Sequence, residues 1–238
     1  MRQRMFFAII ATAVAIGLFG CSKSSTTAPV TATAPAFPSV TFKGPTTAST
    51  DANAETTIAL ATSVNAYSNG AVFATFAGVN PAQSGNAWTW TYSAPNWSIT
   101  FTETKQPDGS YTWQWVENGT NPNNHALYSN WTFFSGSRSA DGANGDWKVY
   151  YDSSSTLNAE FTWTTNSGVK TGGLKVYTSN GATITDQLTV INNTDASGEV
   201  DVYTGAVVTY KSTWLANGSG TWWTYGNTGT QTGTGTWS

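Results

Sequence analysis

From Trp88 to the end of the chain, apolar and polar residues alternate with a period of two. The stretches "WTWTY" at 88, "WSITF" at 97, "YTWQW" at 111, "LNAEFTW" at 157 and "VTYKSTW" at 208 are rich in aromatics and threonine, as half-buried antiparallel strands are. Turn signals stand between them: "PDG" at 107, "DGANG" at 141, "NSG" at 166, "NG" at 180, "TG" at 204, "NG" at 217 and "NTG" at 227. The pattern predicts a mainly β fold, an antiparallel up-and-down meander of about twelve strands starting near residue 86. Twisted open sheets rarely exceed roughly ten strands without curling, so closure into a barrel or half-barrel is expected. A transmembrane barrel would need outward apolar bands of about 9–11 residues per strand. Segments such as "TGTQTGTGTWS" do not supply them.

One hairpin fixes its own register. In "WSITFTETKQPDGSYTWQW" the apolar parity holds Trp97, Ile99 and Phe101 before the turn and Tyr111, Trp113 and Trp115 after it. A two-residue loop would put these sets on opposite faces. The loop must therefore be odd, with Pro107 and Asp108 in a type I turn and Gly109 in the left-handed position.

A second regularity is the phrase "GDWKVY" at 145, which returns as "GGLKVY" at 172, "GEVDVY" at 198 and "GTWWTY" at 220. The spacings of 27, 26 and 22 residues suit one hairpin each. Each copy reads as the outgoing strand of a hairpin, with its glycine serving the turn that feeds the strand. Alternation places Trp147, Val149, Leu174, Val176, Val200, Val202, Trp222 and Thr224 on the core face. Lys148, Tyr150, Lys175, Tyr177, Asp201, Tyr203, Trp223 and Tyr225 fall on the other. Tyrosines on alternate strands stand about 9–10 Å apart, too far to stack, so the phrase marks duplicated hairpins rather than a ligand-reading ladder.

Upstream the period changes. Ala54, Ile58, Ala61, Val64 and Tyr67 recur at three and four, which predicts one amphipathic helix over about 51–68, capped by Thr50 or Asp51 and stopped at Asn69-Gly70. It has a place against the concave face of the sheet. "FPSVTFKGP" at 37 offers Phe37, Val40 and Phe42 for a first edge strand. "AVFATFAGVNP" at 71 reads equally as helix or buried strand.

The N-terminus supplies a third kind of segment. Arg2 and Arg4 precede an apolar run from Met5 to Gly20, shorter than the roughly 20 residues of a spanning helix. This predicts an export signal over 1–20. Leu18, Phe19, Gly20 and Cys21 resemble the lipobox of bacterial lipoproteins, a resemblance confined to this leader. It implies lipidation of Cys21, the chain's only cysteine, and anchoring to a membrane through the N-terminal lipid. By the same resemblance, Ser22 after the cysteine implies passage to the outer membrane. Residues 21–36 form a Ser/Thr/Ala/Pro tether, and 37–238 a single β-rich domain. Removal of 1–20 leaves eight Lys plus Arg against thirteen Asp plus Glu, a net charge of minus five. With no basic cluster, nucleic acid is not an expected partner.

Chemistry is sparsely provided. His125 is the only histidine and lies in the loop-like "NPNNHAL", so neither a histidine triad nor a multi-histidine metal site is signalled. Asp141, Asn144 and Asp146 read as a turn rather than a calcium loop. Glu103 and Glu117 continue the apolar parity of their strands. As a pair they could serve glycoside chemistry, but the favoured reading places both at wet strand ends. No cofactor and no enzymatic activity are expected. The twelve tryptophans carry what binding potential there is, with Trp113, Trp115, Trp163 and Trp214 as the candidate ligand-binding residues. The resulting expectation is a non-catalytic, lipid-anchored envelope module for an apolar or amphiphilic ligand. The alternative is a surface glycan-binding or adhesion lipoprotein. Neither reading sets an oligomeric state.

Overall fold

The computed structural model describes residues 34–36, 40–47, 49–68, 76 and 79–238. The signal segment, Cys21 and most of the tether lie outside them, as does most of "AVFATFAGVNP". Thirteen strands follow one another: β1 (Ala82–Ser84), β2 (Ala87–Ala94), β3 (Trp97–Lys105), β4 (Tyr111–Thr120), β5 (Leu127–Arg138), β6 (Asn144–Tyr150), β7 (Leu157–Asn166), β8 (Val169–Tyr177), β9 (Ile184–Asn192), β10 (Gly198–Thr204), β11 (Val207–Trp214), β12 (Gly220–Tyr225) and β13 (Gln231–Trp237). All pair antiparallel with their sequence neighbours in one sheet.

The hairpin from β3 to β4 forms with the parity its sequence requires. Lys105 faces Tyr111, Gly109 has φ +85°, and its N–H bonds Gln106 O at 3.0 Å. The same turn chemistry recurs: Asp108, Asp195 and Asn217 each accept from the backbone N–H and hydroxyl of the serine two residues on. These Asx turns set odd loops, which keep one face apolar across successive strands.

Closure into a barrel does not occur. The sheet ends at β1 on one side and β13 on the other, with no pairing between them. A barrel would cover its inner face with its own opposite wall. Here the N-terminal segment covers part of that face. Val40 and Phe42 are buried, yet their segment forms no strand. It is held by two asparagines acting as surrogate strand neighbours. Asn65 accepts from Phe42 N–H and donates to Phe42 O (2.7 and 2.8 Å), and Asn192 does the same for Lys43 (2.7 and 2.8 Å). The strap touches successive strands: Phe42 packs on Gly172 of β8, Lys43 meets the end of β9, and Thr46 lies against Gly218 in the turn before β12. The expected edge strand is thus a strap across the sheet.

The expected continuous amphipathic helix over 51–68 is also replaced by something shorter. Helix α1 (Ala52–Ser63) is capped by Asp51, whose carboxylate accepts from Asn53 N and Ala54 N. Val64 breaks the run and α2 (Asn65–Ser68) adds one turn. The buried positions of α1 are Ala54, Thr57 and Ala61, while Ile58 is only half-buried. Small residues and a threonine serve because the contact with the sheet is partly polar: Thr57 Oγ1 bonds Tyr210 OH (2.8 Å) and Ser212 Oγ (3.0 Å).

The four-fold phrase forms β6, most of β8, β10 and β12, alternate strands of the meander. Its core-face residues are buried in the first three copies, except half-buried Val149, and half-buried in the last. The opposite face carries Lys148 and Lys175 on either side of Glu160, and Lys211 beside Glu199 and Asp201. The glycine, however, does not make the turn. Turn positions with positive φ belong to Gly142, Ala196 and Gly218. Gly145, Gly198 and Gly220 lie at or near the start of their strands, each beneath the indole of a tryptophan from the next strand. A Cβ there would stand 2.1 Å from Trp163 Cζ2, 2.3 Å from Trp214 Cζ2 and 2.2 Å from Trp237 Cζ2. Each indole N–H then bonds a carbonyl in the turn before the glycine: Gly142 (3.1 Å), Ala196 (3.0 Å) and Gly218 (2.7 Å). Beside the second copy's Gly172, β9 offers no tryptophan, and Phe42 of the strap fills the same place, 2.7 Å from the would-be Cβ.

Substitution at these glycines is overpacking against a ring fixed by its own hydrogen bond. Gly145→Ala should cost about 2–3 kcal/mol in denaturant unfolding. Gly226→Ala, where the nearest heavy atom is 3.6 Å away, should change stability by less than about 0.5 kcal/mol.

Candidate functional site

Single register shifts interrupt the sheet at Val149/Tyr150, Val176/Tyr177, Val202/Tyr203 and Thr224/Tyr225, but one strand pair, β4 with β5, carries two. These fall between the partners of Trp115 and Val116 and between those of Glu117 and Gly119. Asn96, His125 and Asn130 adopt positive φ at this same end of β2–β5. Bulges and left-handed residues of this kind re-aim side chains and end strand pairing. Their effect is to leave Leu127 at 75 % exposure while its neighbour Tyr128 is buried.

Between these strand ends lies an open cleft of about 540 Å³. Its lining mixes apolar Ala94, Trp97 and Leu127 with polar Asn96, Asn118 and Ser129. Trp97 connects the cleft to a buried carboxylate. Its indole N–H bonds Glu117 Oε2 at 3.1 Å, Asn121 Nδ2 donates to the same oxygen at 3.1 Å, and Trp115 Nε1 reaches Oε1 at 3.3 Å. Burial raises the Glu117 pKa, and these donors partly offset it. Tyr128 stacks on Trp131 at 4.5 Å, accepts from Asn124 Nδ2 at 2.8 Å, and is pushed up to about 12 by burial. Trp131 donates in turn to Ser154 O at 3.0 Å. The wall of the cleft is thus rigid, and Leu127 is its one freely exposed large side chain.

Glu103 is a different environment. Its cross-strand neighbours are Trp88 and Trp113, and it is fully buried. Arg138 Nη2 approaches Glu103 Oε1 at 3.3 Å, donates to Ala36 O at 3.3 Å, and its guanidinium carbon stands 3.9 Å from the centroid of the Tyr111 ring. Among the described residues, Glu103 Oε2, Trp88 Nε1, Trp113 Nε1 and Arg138 Nε have no hydrogen-bond partner. Desolvation raises the Glu103 pKa to about 7 despite the charge and hydrogen bond of Arg138. Neither glutamate sits at the wet strand end expected for it. Register places Glu103 opposite Trp113, four residues before Glu117, so their backbones are about 14 Å apart. A glycosidase pair requires carboxyls roughly 5–9.5 Å apart. Glu103 also turns toward Arg138 and Glu117 toward Trp97, so the two do not converge.

The four tryptophans singled out by sequence are all buried. Trp163 and Trp214 close turns over glycines, Trp113 lies over Gly136 and stacks on Trp147 at 4.1 Å, and Trp115 supports Glu117. The chain of rings continues through Phe134, Phe101 and Phe76. Aromatic bulk therefore fills the covered face. Asp141 closes its turn, accepting from Ser139 Oγ and Ala143 N. On the opposite, solvent-facing side a shallow groove of about 410 Å³ is lined by Thr102, Thr104, Gln114, Ser135, Ser137 and Lys148. Sequence reasoning did not find Leu127, Asn96 or Asn118; the interruption of alternation in "NPNNHALYSNW" was the available signal. Compared with known proteins, the chain matches no family model and no curated sequence.

The raised carboxyl pKa values set a pH dependence. A glutamate with an ordinary pKa of 4.5 that titrates near 7 in the fold holds its proton longer folded than unfolded. Its contribution is then full below about 4.5 and is lost as pH rises through about 7. Thermal unfolding should show a falling Tm from pH 5 to pH 8. Glu103→Gln should flatten part of that fall, leaving the parts due to Glu117 and to Asp201, which burial and the neighbouring Glu199 push up to about 6.

Proposed function

We propose that the protein is a lipid-anchored, non-catalytic binding module of the cell envelope, held to the outer membrane through Cys21, that takes an amphiphilic ligand at the β2–β5 end. The supporting observation is the cleft itself. Its size lies within the range of small-molecule sites, and its lining brings apolar Trp97 and Leu127 together with polar Asn96 and Asn118. The covered face of the sheet is not the binding surface in this reading, because the rings that line it pack on each other and on Phe42 and Phe76. A ligand with an acyl or aromatic portion would lie on Trp97 and Leu127 and direct its polar portion to Asn96 and Asn118.

A second reading, glycan binding, draws on the solvent-facing groove. Its lining of hydroxyls, one amide and the Lys148–Asp146 ion pair offers the donors and acceptors a polyol needs. Half-buried Trp223 and Tyr225 lie farther along that face.

Titration calorimetry with a lysophospholipid below its micellar concentration, and with soluble oligosaccharides, separates the two. The amphiphile reading predicts lysophospholipid binding that weakens at least about tenfold in Leu127→Asp and is unchanged in Gln114→Ala. Oligosaccharide binding lost in Gln114→Ala, with no lysophospholipid uptake, would replace it with the glycan reading. Anchoring is checked separately: radiolabelled palmitate should enter the wild-type chain and not Cys21→Ser, which should also leave the membrane fraction.

A further inference from the structure

The two edges of the sheet are unequal. β1 is three residues long and follows Pro81, which has no N–H to offer a neighbouring strand. β13 is seven residues long, Gln-Thr-Gly-Thr-Gly-Thr-Trp, with no proline and no charge. Gln231, Thr232, Thr234 and Thr236 are exposed. Among the described residues β13 pairs only with β12, and the strap reaches it only at the tip, where Thr47 Oγ1 donates to Ser238 O at 3.4 Å. Protein edges exposed in this way are usually defended by charge, proline, a bulge or shortness. Here the only register shift with β12 is at the first residue, Gln231.

The surroundings of that edge share its character. No residue from Ser212 to Ser238 is charged, in a chain that is otherwise acidic overall. Trp222 and Trp223 are half-buried on opposite faces of β12, and Leu215 in the turn before it is 62 % exposed. The Trp222 ring lies across Gly235 of β13, and among the described residues no strand pairs beyond that edge.

We propose that β13 is a docking edge for β13 of a second copy of this chain, the two pairing antiparallel about a two-fold axis into one continuous sheet. Three observations favour a like copy. An antiparallel strand pair is self-complementary, so one edge meets itself without a separate partner surface. Two copies can approach here without like-charge repulsion, whereas the rest of the solvent face carries Lys148, Glu160, Lys175 and Lys211. And because β1 is blunted, pairing through β13 consumes both unprotected edges and stops at two, rather than propagating as a fibre. The inference rests on sheet geometry and is independent of the ligand and of the lipid anchor.

Light scattering on the protein in a non-ionic detergent, corrected for bound detergent, should give twice the mass of the single processed chain. The double variant Thr232→Lys/Thr236→Lys sets four added charges against each other across the axis and should be monomeric, whereas Gln83→Lys at β1 should remain dimeric. Hydrogen exchange of the wild type provides a readout that needs no variant. Outward-facing β13 amides should be protected at high concentration and lose at least about tenfold of that protection on dilution to the monomer. A monomeric wild type, a dimer that survives the double substitution, or β13 exchange independent of concentration would each overturn the proposal.

Discussion

A tryptophan ring laid flat across a strand requires the residue beneath it to have no side chain. That steric demand recurs along the sheet. Gly145, Gly198 and Gly220 stand under Trp163, Trp214 and Trp237, each ring held by a hydrogen bond to the turn it covers. The indole thereby seals the end of one hairpin onto the start of the strand before it and satisfies its own N–H within the core, where an unpaired donor costs on the order of 1–3 kcal/mol. Each such unit joins two strands and a turn, so the sheet is stabilised hairpin by hairpin. No disulfide within the chain can contribute, since there is only one cysteine.

The place without a tryptophan shows how the layers are joined. Over Gly172 the filling ring is Phe42, which comes from the N-terminal segment and also meets Phe161 edge-on at 6.5 Å. The strap is therefore tied to the same device as the strands. Its backbone is satisfied by Asn65 and Asn192 rather than by a neighbouring strand, and its upstream end by Arg138, which donates to Ala36 O. Arg138 in turn is fixed by Glu103 and Tyr111. A charge pair buried among tryptophans thus sits where the strap meets the sheet, which links the state of Glu103 to how firmly the segment from the tether is held.

Much of this was legible in the alternation. Period two, the Asx turns and the odd loop at Pro107 to Gly109 specify an antiparallel meander with one apolar face, because one slip of register would expose that whole face. Barrel closure was not legible, since it depends on what covers the face, and the strap makes its contacts through asparagine side chains that carry no periodic signal. The cleft was hidden by cancellation. Two irregularities in β5 restore the parity of Tyr128 and Phe134, so the broken alternation of "NPNNHALYSNW" leaves no net shift to show that the strand end is re-aimed. Glu103 and Glu117 were misplaced because the partners Arg138 and Trp97 are near them only in register. The repeat was recognised as alternate strands, but its glycine was assigned to the turn, because a glycine before a strand has that meaning far more often than it has that of a seat for an aromatic ring.

The central claim is that these glycines and tryptophans act as pairs, and a double-mutant cycle on Gly198 and Trp214 tests it most directly. Equilibrium unfolding of Gly198→Ala, Trp214→Leu and the double variant should show that alanine at 198 is costly beneath the indole and nearly free once the ring is gone, a coupling of at least about 1 kcal/mol. Additive losses, with alanine equally costly in both backgrounds, would contradict the account.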